Sequence, residues 1–212
     1  MGPTDDLPTK PVATGDRILE AATKRFAARG YEGTSLGDVA DDVGIRTPSL
    51  YKHFDGKRAL YVAVLDRLLT PYAELLATLL VPPESPEEAE RNILVVARHY
   101  LAHPDLARVV QHAALNGGDE LELLVTRWYE PLFVRAAELT PANDASFDPD
   151  HVMAVVIAVH SMLSGFATMA PLHARLLGTD PLDEASVARQ LTLFRGLAAH
   201  FFTTPARSGD AR

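Results

Sequence analysis

The chain has 212 residues, 47% of them hydrophobic, and a formal net charge of −8 at pH 7. This length and apolar fraction suffice for one or two domains with a substantial core. No run of 18 apolar residues occurs, which argues against a membrane span, and the lack of cysteine excludes disulfides, thiolate nucleophiles and zinc–thiolate sites. The polar, proline-bearing first fifteen residues are unlike a secretory signal, so we expect a cytoplasmic protein.

The charge is unevenly distributed along the chain. Residues 1–58 hold nine basic and nine acidic residues, whereas residues 59–212 hold eleven arginines, no lysine and nineteen acids. A neutral first part and an acidic second part indicate that only the first part could approach a polyanion. Affinity for nucleic acid should then be modest for one copy, so that two copies are needed.

The first elements in chain order are three short helices. After a disordered tail over 1–15, apolar spacing predicts a helix over 16–29 that ends at Gly30. Ser35 and Asp38 can form a capping box at the start of a second helix, and Gly44 suits the left-handed residue that ends it. Thr47 and Pro48 are typical of the N-cap and first position of a third helix.

The rest of the chain is predicted to be helical as well, because no segment alternates with period two. We expect a long helix over 57–79 with Pro71 inside it, and further helices over 86–102, 104–115, 119–139, 149–169 and 183–203. Pro131 should break the helix over 119–139, and residues 140–147 and 171–182 should be connections. The predicted fold is all-α with about nine helices, followed by a frayed tail over 204–212.

The segment from residue 34 to residue 58 decides the functional interpretation. A short amphipathic helix, a glycine turn and a second short helix form a helix-turn-helix, whose second helix can enter the major groove of DNA. That second helix has Leu50 and Phe54 on its inner face and mainly polar residues outside.

Residues 16–65 resemble the DNA-binding domain of the tetracycline-repressor (TetR) family. The most specific match is the run Leu50-Tyr51-x-His53-Phe54 with Lys57 downstream. The chain departs from the family where Arg46-Thr47-Pro48 replaces a common Ser-x-Gly. The resemblance implies a DNA-binding domain over 16–58, a ligand-binding and dimerisation domain over 59–203, and a repressor that binds a palindromic double-stranded DNA operator as a homodimer.

The candidate DNA-binding residues are those that could read base edges or bond phosphates from the second helix and its flanks. They are Thr34, Ser35, Arg46, Thr47, Pro48, Ser49, Tyr51, Lys52, His53 and Lys57.

The second domain should release the operator when a small, mostly apolar inducer binds between its helices. Apolar sites with a few polar groups are usual in helical bundles. The candidate ligand residues are Leu68, Tyr72, His99, Tyr100, His103, Val110, Gln111, Trp128, Phe133, Met162 and Phe166. Each of them could equally be ordinary core. Apolar residues on the last two long helices, among them Val159, Leu163 and Phe194, favour a homodimer.

Other functions have little support in the sequence. His99 and His103 share a helix face but lack a third ligand at useful spacing, so we expect no metal and no cofactor. No P-loop, nucleophile elbow or dinucleotide fingerprint occurs, so we expect no enzyme activity. The alternatives left open are a helical ligand carrier or enzyme with a vestigial DNA-binding head, and a protein-interaction module or regulator that needs no ligand.

Overall fold

The structure is a computed structural model that describes residues 13–79, 85–132, 134 and 149–203. Every regular element in these ranges is a helix, which confirms the predicted all-α class. The chain forms two compact units, divided between Val64 and Leu65. Judged by length and hydropathy, none of the helices in the described ranges could traverse a lipid bilayer.

The first unit contains α1 (Thr14–Arg29), α2 (Leu36–Val43), α3 (Thr47–Leu50) and the beginning of α4 (Lys57–Leu79). Helix α2 packs against both α1 and α3. The core is formed by fully buried apolar side chains, one or more from each helix: Ile18, Phe26, Val39, Leu50 and Leu60. Burial of these side chains, each contributing about 1.5–3 kcal/mol, holds the short helices in place, since four residues cannot form a stable helix alone.

The predicted helix signals of this unit are largely confirmed. Ser35 and Asp38 form the expected capping box, and Gly44 ends α2 in the left-handed conformation with φ of 73° and ψ of 34°. The prediction for α3 was wrong by one position. Arg46, in extended conformation, is the N-cap, and Thr47 already belongs to the helix. Proline tolerates the second position as well as the first, because neither amide has a helical partner.

Within the described residues, the second unit contains the rest of α4 and six further α-helices. They are α5 (Pro86–Ala102), α6 (Pro104–Asn116), α7 (Gly118–Leu124), α8 (Pro149–Thr168), α9 (Ala170–Leu177) and α10 (Glu184–Thr203). Helix α5 packs against α10 and α8, and α6 packs against α8 and α7. A π-helical turn, Val125–Tyr129, follows α7 without interruption.

Two predicted segments were wrong. Residues 171–182 were expected to be a connection, but most of this stretch belongs to α9, because Pro171 lies in the first turn, where its missing amide costs nothing, and Gly178 ends the helix with φ of 69°. The tail predicted over 1–15 is too long by two residues, since α1 begins at Thr14. The rest of that tail before residue 13, the tail over 204–212 and the connection over 140–147 lie outside the described residues. The predicted division after residue 58 lies within α4, six residues before the division between the units.

Candidate functional sites

The turn between α2 and α3 is held by backbone hydrogen bonds and by two arginines of α1. The Ile45 amide donates to the Ala40 carbonyl at 3.0 Å, which closes the turn after Gly44. Arg17 Nη2 donates to the Val43 carbonyl at 2.7 Å. Arg25 binds both carboxylate oxygens of Asp42 at 2.6 Å. These contacts fix the end of α2 against α1 and thereby set the position of α3.

Helix α3 presents most of the predicted DNA-binding residues to solvent. Arg46, Pro48, Lys52 and His53 are exposed, and the Tyr51 side chain is 55% exposed. Thr47 and Ser49 are half-buried. Leu50, in contrast, is fully buried and anchors the helix to the core. The Tyr51 ring is thus available at the surface beside Lys52 and His53.

The helical course continues beyond Leu50 as a series of turns. The amides of His53 and Phe54 both donate to the Leu50 carbonyl, at 2.9 and 3.1 Å. Because these bonds keep the backbone coiled, Tyr51, Lys52 and His53 are carried on the same short projecting segment as Arg46 and Thr47.

Lys57 begins α4 and lies beside an aromatic group. Its Nζ is 4.2 Å from the centroid of the Tyr31 ring. The Tyr31 ring is 5.0 Å from that of Tyr61, which in turn is 4.9 Å from Phe26. A cation over an aromatic face is attracted by the ring quadrupole. The position of the Lys57 ammonium is therefore fixed by the aromatic rings of the first unit. The Lys57 side chain as a whole is half-buried.

Two of the candidate DNA-binding side chains are used inside the protein. Thr34 is 3% exposed, and its hydroxyl donates to the Gly30 carbonyl at 2.9 Å, so the expectation that this hydroxyl faces DNA is corrected. The Ser35 hydroxyl accepts from the Asp38 amide at 3.1 Å and donates to the Asp38 carboxylate at 2.8 Å. Ser35 is exposed, but its hydroxyl already serves the cap.

Two of the three acidic residues of α2 have local hydrogen-bond partners. The Ser35 hydroxyl and amide hold the pKa of Asp38 below its usual value, and the Arg25 guanidinium does the same for Asp42. Both carboxylates stay ionised and paired at neutral pH. The Arg25–Asp42 ion pair offsets part of the repulsion that the three aspartates of α2 would exert on a phosphate backbone.

The candidate ligand residues of the second unit do not form one site. Tyr72, Tyr100 and His99 lie together, whereas Met162 and Phe166 line a different place. Trp128 and Val110 are buried, but Gln111 and His103 are exposed, which corrects the expectation that these two line an interior pocket. Leu68 is half-buried, and Phe133 lies outside the described residues.

Two residues that the sequence analysis missed complete the group around Tyr72. We call Tyr72, Tyr100, Tyr129 and His160 the tyrosine–histidine cluster. Tyr72 Oη and His160 Nδ1 share a hydrogen bond of 3.1 Å. The His160 ring lies 5.7 Å from the Tyr100 ring and 6.3 Å from the Tyr129 ring, between centroids. The sequence signal for His160 was an imidazole inside the long apolar run of α8, whereas nothing in the sequence pointed to Tyr129.

Met162 and Phe166 line an apolar groove on the surface of α8, α9 and α10. Its volume is about 650 Å³, and Leu193 and Phe194 lie on its other side. Ile157 and Leu193 are exposed by 57% and 62%. Val159, Leu163 and Phe194 were expected to face a partner, but all three are buried within this chain. Exposed apolar side chains on two neighbouring helices are typical of an interface.

Comparisons with known proteins agree with this geometry. Residues 18–64 match the family model described as bacterial regulatory proteins, tetR family. These residues include α1, the helix-turn-helix and the start of α4. The chain carries a TetR-family DNA-binding domain. The matched residues thus lie within the first compact unit, in which the exposed helix α3 is the second helix of the helix-turn-helix.

Two curated proteins named as repressors are similar to part of this chain. The HTH-type transcriptional repressor KstR2 of Mycolicibacterium smegmatis is 37% identical over 83 residues, 37% of this chain and 40% of that protein. The HTH-type transcriptional repressor ComR of Escherichia coli is 43% identical over 58 residues, 27% and 28% of the two chains. The chain therefore matches less than half the length of either relative.

Solved structures share the fold over most of the chain. The TetR family regulator PfmR of Thermus thermophilus is 21% identical, with a TM-score of 0.63, over 95% of this chain and 99% of that one. A TetR-like regulator from a Rhodococcus species is 22% identical, with a TM-score of 0.59, over 90% and 96%. At such identities the likeness shows a TetR-type fold and nothing about the ligand.

Proposed function

We propose that this chain is a transcriptional repressor that binds a near-palindromic operator as a homodimer and leaves it when a small, mostly apolar ligand binds the second unit. The observation that carries the proposal is the exposed segment from Arg46 to His53, presented by a helix-turn-helix of the TetR family. The named relatives are repressors, which supports repression rather than activation as the function of this chain. DNA lies in the cytoplasm of a bacterial cell, so we infer that the protein acts there, and we propose no catalytic role.

Different residues in and beside helix α3 would contact the bases and the phosphates of the operator. Arg46 is exposed at the N-cap of α3, where a guanidinium can form paired hydrogen bonds with a guanine edge. Thr47 and Ser49 offer methyl or hydroxyl groups to neighbouring bases. Lys52 and Lys57 flank the helix and would bind phosphate, which fixes the register of the domain without selecting a sequence.

Two recognition helices are needed because one has little electrostatic attraction for DNA. Residues 1–58 are neutral overall, so few counterions are released per copy. A two-fold dimer places two copies on successive major grooves and doubles the contacts. The apolar surface of α8 and α10, with Ile157 and Leu193 exposed, supports the proposal that these helices pair with those of a second copy.

The inducer would act by favouring one of two arrangements of the dimer. Ligand and operator must weaken each other's binding by the same factor, whatever the path between them. Helix α4 runs without a break from Lys57 to Leu79 and contributes to the cores of both units, so we propose that it carries the movement. Pro71 removes one hydrogen bond of this helix, which makes bending at that position easier.

Binding of labelled DNA from the region flanking its own gene tests the proposal. Wild-type protein should bind one fragment specifically, and Arg46→Ala should weaken that binding about tenfold or more, since a paired guanine contact contributes ~1–3 kcal/mol. Arg175→Ala is the matched control, because it removes the same charge from an exposed position on α9. Equal loss in both variants would mean that charge alone, rather than the recognition helix, binds DNA.

A further inference from the structure

The tyrosine–histidine cluster gathers four polar rings from four different parts of the second unit. Tyr72 comes from α4, Tyr100 from α5, Tyr129 from the π-helical turn and His160 from α8. The Tyr72 and Tyr100 rings meet edge to face at 5.0 Å between centroids. Tyr72 is 1% exposed and Tyr100 is fully buried. Rings of this size would fill a core as phenylalanine equally well, so their hydroxyls require an explanation.

Two of the three hydroxyls are buried without a hydrogen bond. Among the described residues, neither Tyr100 Oη nor Tyr129 Oη has a partner. Ser164 lies near enough to Tyr100 to lower its pKa but not in a geometry that makes a hydrogen bond. A buried polar group left unpaired destabilises the fold, and such groups are rare in native proteins. Their presence in one cluster indicates that something else supplies the missing partners.

The cluster is electrically neutral. Burial raises the pKa of Tyr100 to about 12 and raises those of Tyr72 and Tyr129 as well, so all three hydroxyls remain protonated. Burial also lowers the pKa of His160, which keeps the imidazole uncharged. Around Tyr72 and Tyr129 the other phenols are the groups that add to the rise, so the hydroxyls lie within electrostatic range of one another.

The π-helical turn brings Tyr129 to the cluster. A π-turn inserts one residue into a helix and rotates the side chains that follow it. Such turns are rare and occur frequently at functional sites. Here the turn ends at Tyr129, whose hydroxyl is buried although its residue as a whole is half-buried.

We propose that the tyrosine–histidine cluster binds an uncharged ligand whose carbonyl, amide or hydroxyl group pairs with the hydroxyls of Tyr100 and Tyr129 while its apolar or aromatic part packs on the rings. This proposal rests on the proposed sensing of a ligand by the second unit and defines the chemical class of that ligand. A carboxylate would lose its hydration on entering the cluster. None of the four side chains of the cluster carries a positive charge that could compensate that loss. An amide or ketone meets donors and acceptors that are already in place.

Benzamide and benzoate form a matched pair of probes, because they have nearly the same shape and differ in charge. We expect ligand-observed nuclear magnetic resonance titrations of the full-length protein at neutral pH to give about tenfold tighter binding for benzamide, or more. Tyr100→Phe should weaken benzamide about fivefold, the value of one hydrogen bond, and leave benzoate unchanged. Thr179→Val, which removes a hydroxyl from an exposed position after α9, should leave both probe affinities unchanged.

The outcomes separate the ligand class from the regulatory function. Equal or tighter binding of benzoate, absence of binding by both probes at their solubility limit, or unchanged benzamide affinity in Tyr100→Phe would each overturn the proposal. Operator binding without probe is measured on the same samples. If the protein binds the operator but binds benzoate more tightly than benzamide, only the proposed ligand class is wrong. If the protein binds no operator, the proposed function itself fails.

Discussion

Replacing Tyr100 by phenylalanine should stabilise the second unit, because it removes a buried hydroxyl that has no partner. The side chain is fully buried, and its ring contacts Tyr72 edge to face. Phenylalanine preserves that ring and its packing. An unsatisfied buried polar group costs ~1–3 kcal/mol. Loss of the small volume of the oxygen offsets part of this gain, so we expect the free energy of unfolding to rise by about 1 kcal/mol.

Trp128 provides a direct readout of this change. It is the single tryptophan of the chain, it lies in the second unit next to Tyr129, and it is 7% exposed. Its fluorescence therefore reports unfolding of that unit alone, which avoids the difficulty that a chain of two units need not unfold in one step. In urea, the midpoint for Tyr100→Phe should move to higher concentration with an unchanged slope, and the melting temperature should rise by ~2–4 °C.

Tyr72→Phe is the matched control, with the opposite expected sign. The Tyr72 hydroxyl shares a hydrogen bond of 3.1 Å with His160 Nδ1. Its removal loses that bond and leaves the ring nitrogen unpaired, so unfolding should become easier by about 1 kcal/mol. If Tyr100→Phe destabilises the unit as much as Tyr72→Phe does, the Tyr100 hydroxyl has a partner such as a buried water, and the reasoning about unpaired groups is refuted.

Three further predictions concern the first unit. Lys52→Ala should weaken binding to specific and unrelated DNA alike and lower the salt slope by about 1, as measured by titration at several salt concentrations; a loss confined to the operator would contradict a phosphate contact. Thr34→Val should lower the stability of the unit by about 1 kcal/mol in urea, because the bond to Gly30 is lost, while the folded protein keeps its operator affinity. Because Arg25 holds the pKa of Asp42 below its usual 3.8, the stability from this pair is complete above that pH and is lost as pH falls through the lower folded value. Asp42→Asn should therefore lose less stability in an acid titration followed by circular dichroism, and an identical acid profile would show that the pair contributes nothing.

The helices of this chain could be predicted because their ends are marked by local chemistry. Ser35 and Ser85 are followed three residues later by acidic side chains and lie at the starts of α2 and α5, where both hydroxyls accept from the expected amides. Gly30 and Gly44 end the helices as expected. The exposed segment around α3 could also be predicted from the sequence. Helical spacing alone places Leu50 on the inner face and its polar neighbours on the outer face.

The ligand site could not be predicted in the same way, because it depends on which helix faces meet. Gln111 lies among candidates on an amphipathic helix, yet it is exposed. Tyr129 was not identified, since a π-helical turn changes the register in a manner that spacing does not encode. Met162 and Phe166 were grouped with Tyr72 by composition, whereas the structure places them in a groove on the surface of α8 and α10.

The most direct test is a titration of the DNA flanking its own gene with purified protein, followed by fluorescence anisotropy and by the mass of the complex. We predict a specific complex that contains two protein copies and that Arg46→Ala weakens about tenfold or more. Specific binding by one copy, or wild-type affinity in the arginine variant for every fragment, would contradict the claim that paired α3 helices read the operator.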